Sequence, residues 1–156
     1  MPTVKNLIQD AVVALLLERP AAKRTPSQWL SQLETAAPAI AARAMASKNS
    51  AKAQIVLRHI IGIERWGQQR LRVYLGEPLV KDEYDGYCSA TNLSTEQQCA
   101  EFHKTRVETV EIVRKIASAG VKIESKVLHN QFGPITLGGW LRYLNLHANF
   151  ESKMIR

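Results

Sequence analysis

The sequence has little glycine, proline and cysteine, and each shortage excludes a class of protein. Only 8 Gly and 6 Pro occur among 156 residues, which excludes collagen-like repeats and a disordered low-complexity chain. The two cysteines, Cys88 and Cys99, have no CxxC partner, so they fit neither a zinc knuckle nor a disulfide scaffold. This cysteine usage is typical of a reducing compartment and predicts a cytoplasmic protein.

Long apolar runs are also missing. The longest, Ala11–Leu17, is far shorter than the roughly 20 residues that span a bilayer, and no small-residue cleavage site follows it before Glu18. The sequence therefore predicts no membrane-bound segment. With 46% hydrophobic and 22% charged residues, the composition is that of a folded globular chain. We expect one domain over residues 1–156, with residues 1–20 as an N-terminal extension helix.

Positive charge is concentrated in the first half of the chain. Residues 1–75 hold 11 Lys/Arg against 4 Asp/Glu, whereas residues 76–156 hold 10 of each. Such asymmetry is one mark of a surface for nucleic acids or other anions. Here the cations are scattered and no aromatic platform is interleaved with them, so a solvated helical surface is favoured. Nucleic-acid binding is the last of our hypotheses.

Helical periodicity dominates the sequence, since four segments show it and no clean period-two alternation extends beyond about five residues. One helix begins at Thr25–Gln28, where a capping threonine, a first-turn proline and a reciprocal glutamine follow one another. We expect Pro38 to kink or split this helix. Its inward residues are predicted to be Trp29, Leu33, Ile40 and Ala44.

Three further helices follow, at about Ser50–Leu75, Ser94–Gly120 and Thr136 almost to Arg156. The connections between them, residues 77–93 and 121–135, are longer than the roughly 2 to 8 residues of simple bundles, so either could cross the length of a helix. The fold class predicted is all-α: a four-helix bundle with an added N-terminal helix.

Polar residues with metal-ligand chemistry occur on inward stripes of two helices. On the last helix the stripe comprises Trp140, Leu144, His147, Glu151 and Met154. On the second it comprises Ile55, His59, Ile63 and Trp66. An i, i+4 His and carboxylate can converge on one ion. The alternative is a metal-free core in which hydrogen bonds or an ion pair satisfy these groups.

Arg106 faces inward in both possible phases of the third helix, and a buried guanidinium needs an anion. Two readings stay open. Arg106 either forms a salt bridge with Glu151 or Glu64, or it anchors the carboxylate or phosphate of a substrate.

Several short motifs together resemble the DinB-like superfamily over about residues 25–156. They are the runs 58–66 (RHIIGIERW), 70–71 (RL), 82–87 (DEYDGY), 129–137 (HNQFGPITL), 140–141 (WL) and 147–151 (HANFE). The resemblance implies a four-helix bundle of non-sequential, up-down-down-up topology, often dimeric. It also implies a divalent metal, zinc or nickel, held by three histidines.

Two of those family histidines correspond to His59 and His147, and the third corresponds to Glu151. A carboxylate is still a competent zinc ligand in a His, His, Glu set, although this departure also fits a member that has lost its metal. Members of the superfamily include thiol-dependent transferases and isomerases and metal-dependent hydrolases. The partner implied is a small molecule, such as a low-molecular-weight thiol.

A shared site for His59 and Glu151 requires the second and fourth helices to be antiparallel. The 77–93 connection is long enough to cross the length of the second helix and return to the site end, which would make the second and third helices parallel. Its residues Tyr84 and Tyr87 become candidate substrate-binding residues with Arg106, although a tyrosine-rich loop that only packs on the bundle fits as well. The candidates for a catalytic base are Glu64 and Asp85.

The same geometry places the 121–135 connection at the far end, so we expect His129 to be a loop residue and not a ligand. His103 is a reserve ligand, with solvent exposure slightly favoured.

Three functions follow. The first is a metal-dependent thiol transferase or hydrolase, and the second is a non-catalytic bundle that uses its apolar N-terminal segment for dimerisation or partner binding. The third is the binding of nucleic acids or other anions.

Overall fold

A computed structural model describes residues 4–155, without the side chains of residues 4 and 5. The chain is mostly helical, as predicted. In order, its elements are α1 (Val4–Val13), a π-helical turn (Ala14–Glu18), α2 (Arg19–Ala21), α3 (Pro26–Met45), α4 (Ser50–Val73), a 3-10 turn (Tyr84–Tyr87), α5 (Thr95–Ser118), β1 (Lys126–His129), β2 (Gly133–Thr136) and α6 (Leu137–Ser152). No helix among the described residues has an apolar stretch that could cross a membrane.

The predicted capping residues begin two of the long helices. Thr25 and Gln28 form a reciprocal capping box at the start of α3, and Ser94 and Gln97 form another at the start of α5. These exchanges satisfy backbone N–H groups that have no partner inside the helix. Pro38 does not split α3, which continues through it as one helix. Both starts are therefore determined locally by the sequence.

Contacts between the long helices give their relative directions. Three hydrogen-bonded pairs join α4 to α5 in the same order along both helices: Gln54 with Thr95, Arg65 with Glu101, and Arg72 with Glu108. The two helices are therefore parallel. Ring contacts between α4 and α6 run in opposite orders: His59 with His147, and Trp66 with Trp140. These two helices are antiparallel.

Glycines allow close approach at two points of α4. A Cβ atom on Gly67 would lie 2.6 Å from a methyl carbon of Leu144 in α6. A Cβ atom on Gly62 would lie 2.5 Å from the Cys88 sulfur and 3.2 Å from the Tyr84 carbonyl oxygen. The connection between α4 and α5 thus lies directly on the α4 backbone.

A β-hairpin corrects the expectation of a purely helical chain. The strands β1 and β2 pair antiparallel, with Lys126 opposite Thr136 and His129 opposite Gly133. Gly133 has φ +72°, a backbone conformation that glycine adopts without strain. The Trp140 indole N–H donates to the Val127 carbonyl, which holds the hairpin against α6. Four residues per strand are too few for the alternation to stand out in the sequence.

The N-terminal segment continues through Pro20, and α2 ends at Ala21. Proline has no N–H for the carbonyl four residues earlier, and the Arg142 guanidinium of α6 donates to that carbonyl, on Leu16. Glu18 accepts hydrogen bonds from the backbone N–H and the hydroxyl of Thr136. The segment is therefore fastened to the start of α6.

Two residues of the predicted inward stripes are exposed. Ile55 has 65% of its surface exposed and Met154 has 46%. Ile55 lies about 200° around α4 from Ala53 and Leu57, and both of those are fully buried. Met154 follows the end of α6. By contrast, the residues predicted to face inward on α3 are all buried.

A buried ion pair connects three of the long helices. The Arg106 guanidinium donates from Nε to one Glu64 carboxylate oxygen at 2.6 Å and from Nη2 to the other at 2.8 Å. Its Nη1 donates to the Leu33 carbonyl, and the Thr109 hydroxyl donates to Glu64. Both charged side chains are 2% exposed. Glu64 is thus the anion that Arg106 requires.

We expect Glu64→Ala to reduce the free energy of unfolding by about 3–5 kcal/mol, because it leaves the Arg106 guanidinium buried without its counter-ion. The matched control is Glu101→Ala, which removes the partner of Arg65 in a pair that is 27% and 35% exposed. That change should cost about 1 kcal/mol or less. Chemical denaturation of the two variants checks this, and equal losses would contradict the structural role of the buried pair.

Candidate metal centre and the adjoining cavities

Three partly buried side chains converge between α4 and α6. The ligand atoms of His59, His147 and Glu151 all lie within 4.8 Å of one another, and the two Nε2 atoms are 3.2 Å apart. Two imidazole nitrogens that share a tetrahedral zinc ion lie roughly 3.3 Å apart, given bonds of about 2.0–2.1 Å. The donor set and its spacing therefore fit a divalent metal.

The electrostatic environment keeps the imidazole of His147 neutral. Burial, together with the neighbouring His59, lowers its pKa to about 4. A neutral imidazole presents a lone pair, which is the form that binds a metal. The next aromatic residue on α6, Tyr143, has a pKa raised to about 12 by burial and by the charge of Glu151. Tyr143 therefore remains a neutral hydroxyl at physiological pH.

A cavity of about 310 Å³ adjoins this cluster, and His59 and His147 form part of its wall. Tyr84 lines the same cavity, and its ring makes an edge contact with His59 at 5.0 Å between centroids. Aromatic side chains supply much of the remaining surface: Trp66, Phe132 and Tyr143. The predicted substrate residue Tyr84 is therefore placed beside the candidate metal ligands.

His129 also lines this cavity, which the sequence analysis did not foresee. The hairpin folds back along α4, so that the ring of His129 lies edge-on to Trp66 at 5.1 Å. Its expected position at the far end of the molecule is therefore wrong. The position of His129 depends on the pairing of β1 with β2. In the sequence, only the short segment 126–136 with its glycine turn could have predicted this hairpin.

Hydrogen bonds define the protonation of His129. Its Nδ1 accepts from the backbone N–H groups of Gln131 at 3.1 Å and Phe132 at 3.3 Å, so the proton of the neutral ring is on Nε2. That Nε2 atom is buried and has no hydrogen-bond partner within residues 4–155. A protonated nitrogen does not present a lone pair to a metal, so the exclusion of His129 from the ligand set stays a prediction.

The other predicted site residues lie away from the cluster. Arg106 and Glu64 neutralise each other in the buried ion pair, so neither is free for substrate binding or for base catalysis. The Tyr87 hydroxyl donates to Asp82 and faces a different surface depression. Asp85 is exposed on the same 3-10 turn. His103, the reserve ligand, is exposed and lines another pocket.

A second cavity, the apolar groove, adjoins the first. It has a volume of about 280 Å³ and is lined by Val12, Val13, Leu16, Leu17, Phe132, Tyr143, Leu146, His147 and Phe150. It lies between the N-terminal segment and α6. Phe132, Tyr143 and His147 belong to both cavities. One face of the candidate metal centre therefore borders an apolar surface.

Comparison with known proteins gives this arrangement no family, because no family model, curated protein or solved structure matches the chain.

We expect His129 to destabilise the protein in acid. Burial, with the nearby Arg70 guanidinium, lowers its pKa to about 4, below the ordinary value of about 6.5 in an unfolded chain. Above about pH 6.5 the ring is neutral in both states. As the pH falls from there to about 4, only the unfolded chain takes up the proton, so stability falls by about 3 kcal/mol.

The His129→Asn variant provides the reference, because its side-chain oxygen can still accept the Gln131 N–H. Between about pH 7.5 and about pH 4, the unfolding free energy of the wild type should fall about 3 kcal/mol further than that of the variant. Parallel curves for the two proteins would show that His129 is not held neutral.

Proposed function

We propose that the protein is a DinB-like, metal-dependent enzyme that acts on a small molecule. In this proposal His59, His147 and Glu151 hold one divalent ion, zinc or nickel. The observation that carries the proposal is the convergence of their three ligand atoms within 4.8 Å. The helix directions support it, since α4 is parallel to α5 and is antiparallel to α6, as a shared site for these ligands requires.

The reaction class proposed is thiol transfer or hydrolysis. When bound, the ion supplies Lewis acidity that lowers the pKa of a coordinated thiol or water near neutral pH. Two imidazoles and one carboxylate leave a coordination position open on a tetrahedral ion. The cavity of about 310 Å³ beside the ligands provides room there for a small substrate.

The chain's own residues have distinct positions around that substrate. Tyr84 fixes the ring of His59 by an edge contact, and the neutral Tyr143 hydroxyl is close to His147, with ring centroids 5.8 Å apart. Glu64 is left out of the catalytic set because Arg106 neutralises it. The role of Asp85 as a base stays a prediction.

A second candidate function, dimerisation or partner binding, is favoured by one observation. Apolar side chains of the N-terminal segment are about half exposed or more: Leu7, Ile8, Val12, Leu15 and Leu16. Contiguous exposed apolar surface of this kind commonly marks an interface. We propose a homodimer through Leu7, Ile8 and Leu15 of this surface, which do not line the apolar groove, so the dimer is compatible with the metal centre.

Protein purified without a histidine tag should contain stoichiometric zinc or nickel, or take it up when the ion is added. Glu151→His should keep or strengthen metal binding, whereas Glu151→Ala should weaken it. Since loss of outer-shell partners alone costs about 10- to 100-fold in affinity, loss of a direct ligand should cost at least about 100-fold. The control is Glu111→Ala, which changes an exposed carboxylate on α5 and should leave the affinity unchanged.

Metal analysis and thermal unfolding with and without chelator measure these effects. If chelator leaves the melting temperature of the wild type unchanged and neither ion binds, the metal-dependent function is wrong.

The dimer predicts that Ile8→Lys combined with Leu15→Lys converts a dimeric sedimentation mass to a monomeric one, because two charges would then be buried in an apolar interface. Val80→Lys is the control, since Val80 is 55% exposed and lies outside this segment. A monomeric mass for the wild type at all concentrations would exclude this interface.

A further inference from the structure

The cavity of about 310 Å³ is lined by His59, His129 and His147 and is called the three-histidine cavity. It shares part of one wall with the apolar groove. His147 is on that wall, and so are Phe132 and Tyr143. In the three-histidine cavity, His59 and His129 join His147 in the lining. In the apolar groove, the residues other than His147 are aliphatic or aromatic. A molecule that contacts both sides must therefore be polar at one end and apolar at the other.

Open apolar surface lines much of the groove. Leu16 is 54% exposed, Val12 46%, Leu146 42% and Phe150 65%. Covering such surface is favourable by about 25 cal/mol for each Å² removed from water. The groove therefore has substantial unused capacity to bind an apolar group, next to the place where a metal would act.

We propose that the substrate is amphiphilic, with a metal-binding polar head in the three-histidine cavity and an apolar tail in the apolar groove. The proposal rests on the proposed function only for the head, which meets the ion. The tail is recognised by the groove alone. Among the residues whose side chains the structure describes, no charged side chain lines the groove, so we expect the tail to carry no charge.

Two observations favour a tail over a second copy of the chain as the occupant. The groove includes His147, so a ligand there is already in contact with a candidate metal ligand. Leu7 and Ile8, two exposed apolar side chains near the N-terminus, are not part of its lining, so a dimer face can form beside the groove without filling it.

Alkyl hydroxamates from acetohydroxamate to octanohydroxamate are suitable probes, because all share one metal-binding head and differ only in tail length. Their affinity for the zinc-loaded protein should rise about fourfold for each added methylene group until the groove is full. Isothermal titration or displacement of a fluorescent probe measures the series.

Two variants test the location of the tail. Leu16→Gln alters the groove, whereas Val80→Gln changes a residue of nearly equal exposure, 55% against 54%, that does not line it. We expect Leu16→Gln to flatten the dependence on chain length and Val80→Gln to preserve it. Acetohydroxamate, which has almost no tail, should bind both variants as it binds the wild type.

The same series on chelator-treated protein separates this inference from the metal proposal. If no ion binds but affinity still rises with chain length in a manner that Leu16 controls, the tail site stands and the metal proposal fails. An affinity independent of chain length overturns the tail site even when the head binds zinc. An equal response of both variants also overturns the tail site. A dimer that Leu16→Gln dissociates overturns it as well, because the groove would then be occupied by a second copy of the chain.

Discussion

The buried pair of Glu64 and Arg106 is the constraint on which the site depends. It joins α4 to α5 directly and to α3 through the Leu33 carbonyl, so it fixes the rotation of α4 about its own axis. His59 precedes Glu64 by five residues, about 140° around the helix. When the carboxylate faces α5, the imidazole of His59 must face α6, where His147 and Glu151 lie. The buried ion pair thus orients a candidate metal ligand that it does not contact.

What could be predicted from the sequence is what depends on residues close together in the chain. The starts of α3 and α5 follow from Thr25 and Ser94 with their reciprocal glutamines, and the i, i+4 spacing of His147 and Glu151 places both on one side of α6. The partner of Arg106 could not be chosen, because Glu64 and Glu151 both satisfied the need for an anion. His129 was misplaced because the position of a four-residue strand depends on packing against Trp66, which periodicity does not reveal.

The N-terminal segment is part of the site and not only an extension of the bundle. Glu18 accepts hydrogen bonds from Thr136, and Arg142 compensates for the N–H that Pro20 lacks by binding the Leu16 carbonyl. These contacts hold one wall of the apolar groove against α6. The same α6 carries two of the candidate metal ligands, so the segment and the cluster are positioned by a common element.

Gly62 and Gly67 have no side chain, and this allows neighbouring elements to approach the α4 backbone closely. At Gly67 the α6 residue Leu144 fills the room that a methyl group would occupy, and at Gly62 the connection carrying Tyr84 and Cys88 does so. The absence of a Cβ atom at Gly67 therefore allows the short distance between α4 and α6. Its absence at Gly62 allows Tyr84 to lie close to the α4 backbone. Along α4, the dimensions of the candidate metal centre are therefore limited by two residues without side chains.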